Sequence, residues 1–174
     1  MRFVLFQPDI APNVGTILRM AACFDVGVDI IEPCGFPWDT RILRRSALDY
    51  HKFVRIERYS SWSDYFDKYH EIIPDLKENS SFMGNTKQIG INDNKSRLVL
   101  LTTKGEKPYY NFRFKPNDRI MVGRESAGVP EKVHLAAHQR LIIPMKPDRR
   151  SLNIAVALGI VAGEALRQTK LFSE

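Results

Sequence analysis

The chain has 174 residues, 44% of them apolar, enough to bury an ordinary hydrophobic core and to exclude a disordered polymer. Lys and Arg outnumber Asp and Glu by 26 to 20, a formal charge of +6; this favours an anionic partner such as nucleic acid but is modest for a dedicated duplex binder. Only Cys23 and Cys34 are present, which excludes a disulfide framework or a CxxC metal pair, and both read as buried free thiols.

Strands and helices alternate along the chain. Phe3 to Phe6 is a short buried strand, too short an apolar run for a signal peptide. Val14, Ile17, Leu18, Ala21 and Ala22 then recur at helical spacing, predicting a helix that begins near Asn13. Val26 to Ile31 is a second strand, closed by Pro33. Thr40 to Leu48 predicts a short helix and Phe53 to Ile56 a third strand. Ser61 is a candidate N-cap for a helix running to about Tyr69.

The stretch Pro74 to Ser96 is rich in Asn and Gly and poor in apolar residues. It reads as a long surface excursion, a tolerated insertion with a short strand at Phe82 and Met83. Arg97 to Leu101 is the next strand and ends in Thr102-Thr103-Lys104-Gly105. Arg119 to Val122 follows and ends at Gly123. Pro130 can open a helix reaching His138, Leu141 to Ile143 is the last strand, and a final helix covers about Leu152 to Gln168.

Continuous apolar strands alternating with helices predict an α/β fold: one domain, residues 1–174, built on a mostly parallel sheet flanked by helices. The final helix is apolar nearly all round, which predicts burial on every side, against a second copy of the chain rather than wholly inside one. Its apolar stretch, interrupted by Glu164, is shorter than the roughly 20 residues that span a bilayer. The expectation is a soluble, cytoplasmic protein with no membrane partner.

Three segments break the regular patterning, each just past a predicted strand or at a helix start. They are Asn13-Val14-Gly15-Thr16-Ile17-Leu18-Arg19, Gly123-Arg124-Glu125-Ser126-Ala127-Gly128-Val129-Pro130 and Ser151-Leu152-Asn153-Ile154-Ala155-Val156-Ala157. Open α/β sheets bind ligands in the crevice beyond the carboxyl ends of their strands. Gly and Asn there let backbone amides approach a ligand, and Arg can address an anion.

In order and position these segments resemble the motifs of the SpoU branch of the SPOUT methyltransferases. The chain is most similar to the smallest members, the tRNA (cytidine/uridine-2′-O-)-methyltransferases that act on the wobble ribose. Ile31-Glu32-Pro33-Cys34-Gly35-Phe36, the run from Leu43-Arg44-Arg45 to Asp49-Tyr50-His51, and Thr102-Thr103-Lys104-Gly105 extend the resemblance over nearly the whole chain. Pro74 to Ser96 lies outside it. The resemblance implies a trefoil knot in the carboxyl-terminal third, a feature otherwise nearly absent from proteins. It also implies S-adenosylmethionine as cofactor, tRNA as partner and an obligate homodimer.

By position it assigns the cofactor to Leu101, Thr102, Gly123, Glu125, Ile143, Met145, Ser151 and Leu152. Gly163 departs from the pattern, since relatives commonly carry an aromatic residue there. Methyl transfer from a sulfonium needs no metal, and none is expected. His134 and His138 stand four apart without a carboxylate or third ligand and read as surface or packing residues rather than a zinc site.

Arg19 is the principal catalytic candidate, with Asn13 and Asn153 beside it. Arginine stays protonated up to a pH above about 12, so gripping the phosphate beside the target ribose and stabilising the developing alkoxide suits it better than a base role. Asn13 orients that ribose or caps its helix, two compatible roles. Arg41, Arg44, Arg45, Lys52, Lys104, Arg149 and Arg150 are candidate phosphate contacts, the first three sharing one helix face. The alternatives are a ribosomal RNA ribose as substrate and a non-catalytic RNA-binding protein of the same fold. A dinucleotide reductase would need a GxGxxG after the first strand, which is missing.

Overall fold

The computed structural model describes residues 1–38, 50–72 and 96–170. Its strands are β1 (Arg2–Phe6), β2 (Gly27–Ile31), β3 (Ile56–Tyr59), β4 (Leu98–Leu101), β5 (Lys107–Pro108), β6 (Arg119–Val122) and β7 (Gln139–Ile142). They form one sheet in the order β3-β2-β1-β6-β4-β7-β5, every adjacent pair parallel. The helices are α1 (Ala11–Cys23), α2 (Trp62–Ile72), α3 (Glu131–Ala136) and α4 (Ile154–Thr169).

The period of two along β1 distributes the core. Phe3 and Leu5 pack with Val14, Ile17 and Leu18 of α1 and Leu158, Val161 and Ala162 of α4. Val4 and Phe6 face the opposite layer, with Tyr65 and Tyr69 of α2 and Val133 of α3. Helices on both faces explain why the strands read as unbroken apolar runs. The α/β expectation with a parallel sheet is the observed architecture.

Local expectations shift where tertiary context decides. The third strand is Ile56–Tyr59, not Phe53 to Ile56; Tyr50–Phe53 is a 3₁₀ turn. β3 is an edge strand with Glu57 and Arg58 exposed and only Tyr59 buried, so its apolar signal was weak. The two-residue strand β5 carries no periodic signal at all. α1 starts at Ala11, with Ile10 as N-cap and no side-chain cap, so Asn13 does not cap it. Ser61 does cap α2, its Oγ accepting from the Asp64 amide at 3.1 Å. Cys23 is exposed and Cys34 half-buried, which corrects the buried-thiol expectation for the first; burial pushes the Cys34 thiol up to about 11. The expected helix at Thr40 to Leu48 and strand at Phe82 and Met83 lie outside the described residues.

One buried charge hides inside an apolar run. Asp29 of β2 is fully buried and takes Arg2 Nε at 2.8 Å and Arg119 Nη1 at 2.6 Å. Pairing on both sides is what makes a carboxylate tolerable there.

α4 is not buried on every side within one chain. Ala155, Leu158, Val161, Ala162, Ala165 and Leu166 are buried within the chain, whereas Val156 and Ile160 remain 54% and 38% exposed. The two exposed residues stand one turn apart on the outer side.

Candidate active site

Strands β4, β6 and β7 end side by side, and a cavity of about 560 Å³ opens at their carboxyl ends. Three turns shape it. After β4, the Thr102 amide donates to the Leu141 carbonyl at 2.9 Å, drawing the Thr102–Gly105 turn onto β7. A side chain at Gly105 would put its Cβ 2.4 Å from the Leu141 carbonyl carbon, so only glycine permits that approach.

After β6, Arg124 and Gly128 exchange backbone hydrogen bonds of 2.9 Å in each direction. Gly128 has φ +66°, and a Cβ on Gly123 would meet the Gly128 carbonyl carbon at 2.6 Å. The glycines of the second sequence segment are thus steric requirements of a tight loop. The third turn leads from β7 to α4, where Asn153 is the N-cap: its Oδ1 accepts from the Ala155 and Val156 amides at 2.9 and 3.3 Å.

The three sequence segments converge through side chains. Asn153 Nδ2 donates to Asn13 Oδ1 at 2.9 Å, and Asn13 Nδ2 donates to Glu125 Oε1 at 2.8 Å. The other Glu125 oxygen accepts from the Asp9 amide at 2.8 Å. Asp9 Oδ2 in turn accepts from the Ser126 amide at 3.0 Å and hydroxyl at 2.5 Å. Those Ser126 contacts, the hydroxyl foremost, hold the Asp9 carboxyl below its ordinary value. Arg124 donates to the Gln7 side-chain oxygen and lies over the Phe6 ring.

All eight residues assigned to the cofactor line the cavity, as do Asn13, Asn153, Lys104 and Arg150. Arg149 is exposed beside Arg150. Arg41, Arg44 and Arg45 lie outside the described residues. Arg19 is not part of the cavity wall: it is exposed on α1, its guanidinium 5.4 Å from the centroid of the Tyr50 ring. Six residues separate it from Asn13, a rise of about 9 Å and a turn to another face of the helix.

Val129 and Ala157 of the second and third segments also line the cavity, and sequence reasoning missed Ile10, Glu131 and His134, which join the wall from outside those segments. His134 was taken for a surface or packing residue; it stands in the wall, its Nε2 buried with no hydrogen-bond partner among the described residues. Its position four residues past Pro130, on the helix that follows the Gly123 loop, was the available signal. His138 Nδ1 accepts from the Leu98 amide at 3.1 Å, a structural bond between β4 and the start of β7. At Gly163 a Cβ would have nothing within 4 Å. Among the described residues no group of three or more His, Cys, Asp or Glu could hold a metal. No helix among them is long and apolar enough to cross a membrane.

Comparison with known proteins identifies the relatives. The chain is 44% identical over 164 residues to a tRNA (cytidine(34)-2′-O)-methyltransferase of Beijerinckia indica, covering 94% of this chain and 89% of that protein. A protein of the same name from Escherichia coli K12 is 34% identical over 170 residues, 97% and 93% of the two chains. A solved structure described as giving insight into 2-OH methylation of C/U34 on tRNA superimposes with a TM-score of 0.78 at 34% identity, covering 96% and 94%. The SpoU methyltransferase AviRb of Streptomyces viridochromogenes shares the fold at 20% identity, with a TM-score of 0.78 over 97% of this chain and 57% of its own. The description of the SpoU rRNA Methylase family matches residues 1–74 and 82–163. With those residues spanning every turn that builds the cavity, the chain belongs to the SpoU methylase family.

Proposed function

We propose that the chain is an S-adenosylmethionine-dependent 2′-O-methyltransferase acting on the wobble ribose of a tRNA. The observation that carries this reading is the continuous hydrogen-bond chain Glu125–Asn13–Asn153. It joins three distant segments at the mouth of a cavity beyond the strand ends, where an open α/β sheet receives its ligand. The family name refers to rRNA, but the relatives at 34% and 44% identity are named for cytidine 34 of tRNA, which favours tRNA over a ribosomal substrate.

The residues present fit the cofactor. A volume of about 560 Å³ falls among small-molecule sites of roughly 300–1,000 Å³. Leu101, Ile143 and Leu152 offer apolar walls for an adenine, and backbone groups near Met145 and Ser151 can read its edge. When bound, the cofactor supplies an electrophilic methyl on a sulfonium. The chain supplies the rest: Asn13 and Asn153 orient the ribose hydroxyl, and Arg19 grips the adjacent phosphate and offsets the charge that develops as the hydroxyl passes its proton to water and its oxygen takes the methyl. Lys52, Lys104, Arg149 and Arg150, with Arg41, Arg44 and Arg45, are proposed to hold the RNA backbone and confer affinity without base identity.

The proposal includes a single catalytic domain with a knotted carboxyl-terminal third, working in the cytoplasm as a homodimer. The exposed stripe of Val156 and Ile160 on α4 supports the dimer. Because Arg19 does not line its own chain's cavity, the dimer and the role of Arg19 together require one copy's arginine to serve the other copy's cavity.

The test is direct. Calorimetry should show S-adenosylmethionine binding, and labelled methyl groups should pass to bulk tRNA. Mapping of 2′-O-methyl groups in RNA from a strain lacking the gene should show the loss at the wobble ribose. Retention of every tRNA 2′-O-methyl group in that strain would overturn the reading.

A further inference from the structure

We propose that Tyr50 and Phe53 form, with Arg19, a docking platform for an unpaired nucleobase of the RNA. The inference deepens the reading above and rests on its RNA substrate. The Arg19 guanidinium lies over the Tyr50 ring, and the Tyr50 and Phe53 rings meet edge to face, 6.5 Å between centroids at 67°. A ring beneath the guanidinium takes its face and leaves its N–H edge free to fork onto a phosphate. Among the described residues Arg19 makes no hydrogen bond or ion pair.

Phe53 closes the 3₁₀ turn, yet it is 72% exposed, the most exposed large apolar side chain among the described residues. Exposed Lys52 precedes it and exposed Arg55 lies two residues on. An aromatic face set among cations is the composition that single-stranded nucleic acid selects: bases stack on the ring while phosphates meet the charges. The surface for a second copy of the chain is of the other kind, the uncharged Val156 and Ile160 stripe. A duplex offers no unstacked base, so the partner is a looped or single-stranded segment.

The platform places a base-stacking contact next to the phosphate grip assigned to Arg19. Tyr50 is a positioning residue acting through Arg19, and Phe53 contacts the RNA itself.

The test uses the full-length protein and an RNA hairpin with a seven-nucleotide loop carrying 2-aminopurine in place of each loop base in turn. Phe53→Ala should weaken hairpin binding by about fivefold or more, the scale of losing one stacked base. The slope of affinity against salt should not change, since no charge is removed. Phe53→Trp should bind as tightly as wild type, and at least one 2-aminopurine position should be quenched by wild type and not by Phe53→Ala. Tyr50→Phe should keep turnover, whereas Tyr50→Leu should lower kcat with S-adenosylmethionine binding intact.

Equal hairpin affinity of wild type and Phe53→Ala would overturn the platform while leaving the methyltransferase reading standing. Dissociation or unfolding of Phe53→Ala and Phe53→Trp alike would assign the ring to an interface between copies and equally overturn it. A wild-type protein that binds no RNA would remove both readings.

Discussion

Asn153 donates through Nδ2 to Asn13 Oδ1 at 2.9 Å, and this one bond fixes the direction of both amides. Asn153 must keep its oxygen for the α4 amides, and Asn13 must keep its nitrogen for Glu125. Glu125, with the Asp9 amide on its second oxygen, is an acceptor on both sides. Donation along the chain therefore runs one way, from helix cap to carboxylate.

Glu125→Gln breaks that polarity without changing shape. Its oxygen satisfies the Asp9 amide, so its NH₂ faces the NH₂ of Asn13. If Asn13 turns over, it presents a donor to Asn153, which must turn in its own right and release the helix cap. The expected cost is that of a lost cap, about 0.5–2 kcal/mol, together with weaker S-adenosylmethionine binding. Adding Asn13→Asp restores an acceptor to both neighbours and conserves the net charge. Thermal denaturation should show the double variant more stable than Glu125→Gln alone; an equal or lower stability would refute the polarity argument.

Arg19 tests the chemistry. Arg19→Ala should lower turnover at least about a hundredfold, the scale of losing one oxyanion donor, while calorimetry shows the cofactor still bound. Lysine could act as a base but cannot make the bidentate phosphate contact. Arg19→Lys should therefore fail at high pH as well as neutral. Recovery of near-full activity as pH approaches the ordinary lysine pKa of about 10.4 would establish the base role instead.

Much of this site was legible because its residues are constrained by backbone geometry. Gly123, Gly105 and Asn153 stand where only a side-chain-free approach or a cap will do, and such demands repeat in sequence. The carboxyl ends of β1, β2, β4 and β6 were equally readable, since both faces of the sheet are covered there, whereas β7 runs from Gln139 to Ile142 and not from Leu141 to Ile143. Ile10 and Glu131 join the wall from outside the three segments and gave no local sign of it. The edge strand Ile56–Tyr59 and the buried Asp29 stayed hidden for a related reason: each depends on partners far along the chain, Val28 to Ile31 for the one and Arg2 and Arg119 for the other. Of the two compatible roles expected of Asn13, the cap is not found, because its partners, Glu125 and Asn153, lie more than a hundred residues away.

The proposed dimer rests on a definite surface of α4. Ala155, within the apolar run of α4, is buried in the chain's own core. Val156 and Ile160 are the residues to change. Ile160→Glu should place an unpaired charge in the interface and shift the protein to monomer by sedimentation, with its circular dichroism retained. A dimer as tight as wild type would move the interface elsewhere.

Glu164 gives a pH prediction. Hydrogen bonds from Arg167 and Gln168 hold its carboxyl down to about 2, from an ordinary 4.5. A depressed folded-state pKa contributes stability that is present above the ordinary value and lost as pH falls through the folded one. Gln168 also ties the Phe112 carbonyl and the Phe114 amide to α4. Wild type should therefore exceed Glu164→Gln in melting temperature at neutral pH, and the gap should close as pH falls from 4.5 towards 2. A gap independent of pH would show that the charge of Glu164 plays no part.

The last prediction follows from where Arg19 stands. If each cavity uses the partner's arginine, two inactive variants should complement one another. Arg19→Ala keeps an intact cavity; Leu152→Trp, at a partly exposed wall position, should fill the cavity and keep Arg19. In a mixed dimer, the intact cavity of the first chain meets the intact arginine of the second. Unfolding and refolding the two together should therefore restore about a quarter of wild-type turnover, because half the dimers are mixed and each has one working site of two. An arginine that served its own chain would leave every site in the mixture broken. Activity no higher than that of either variant alone, with mixed dimers present by mass spectrometry, would show that Arg19 and its cavity belong to the same copy.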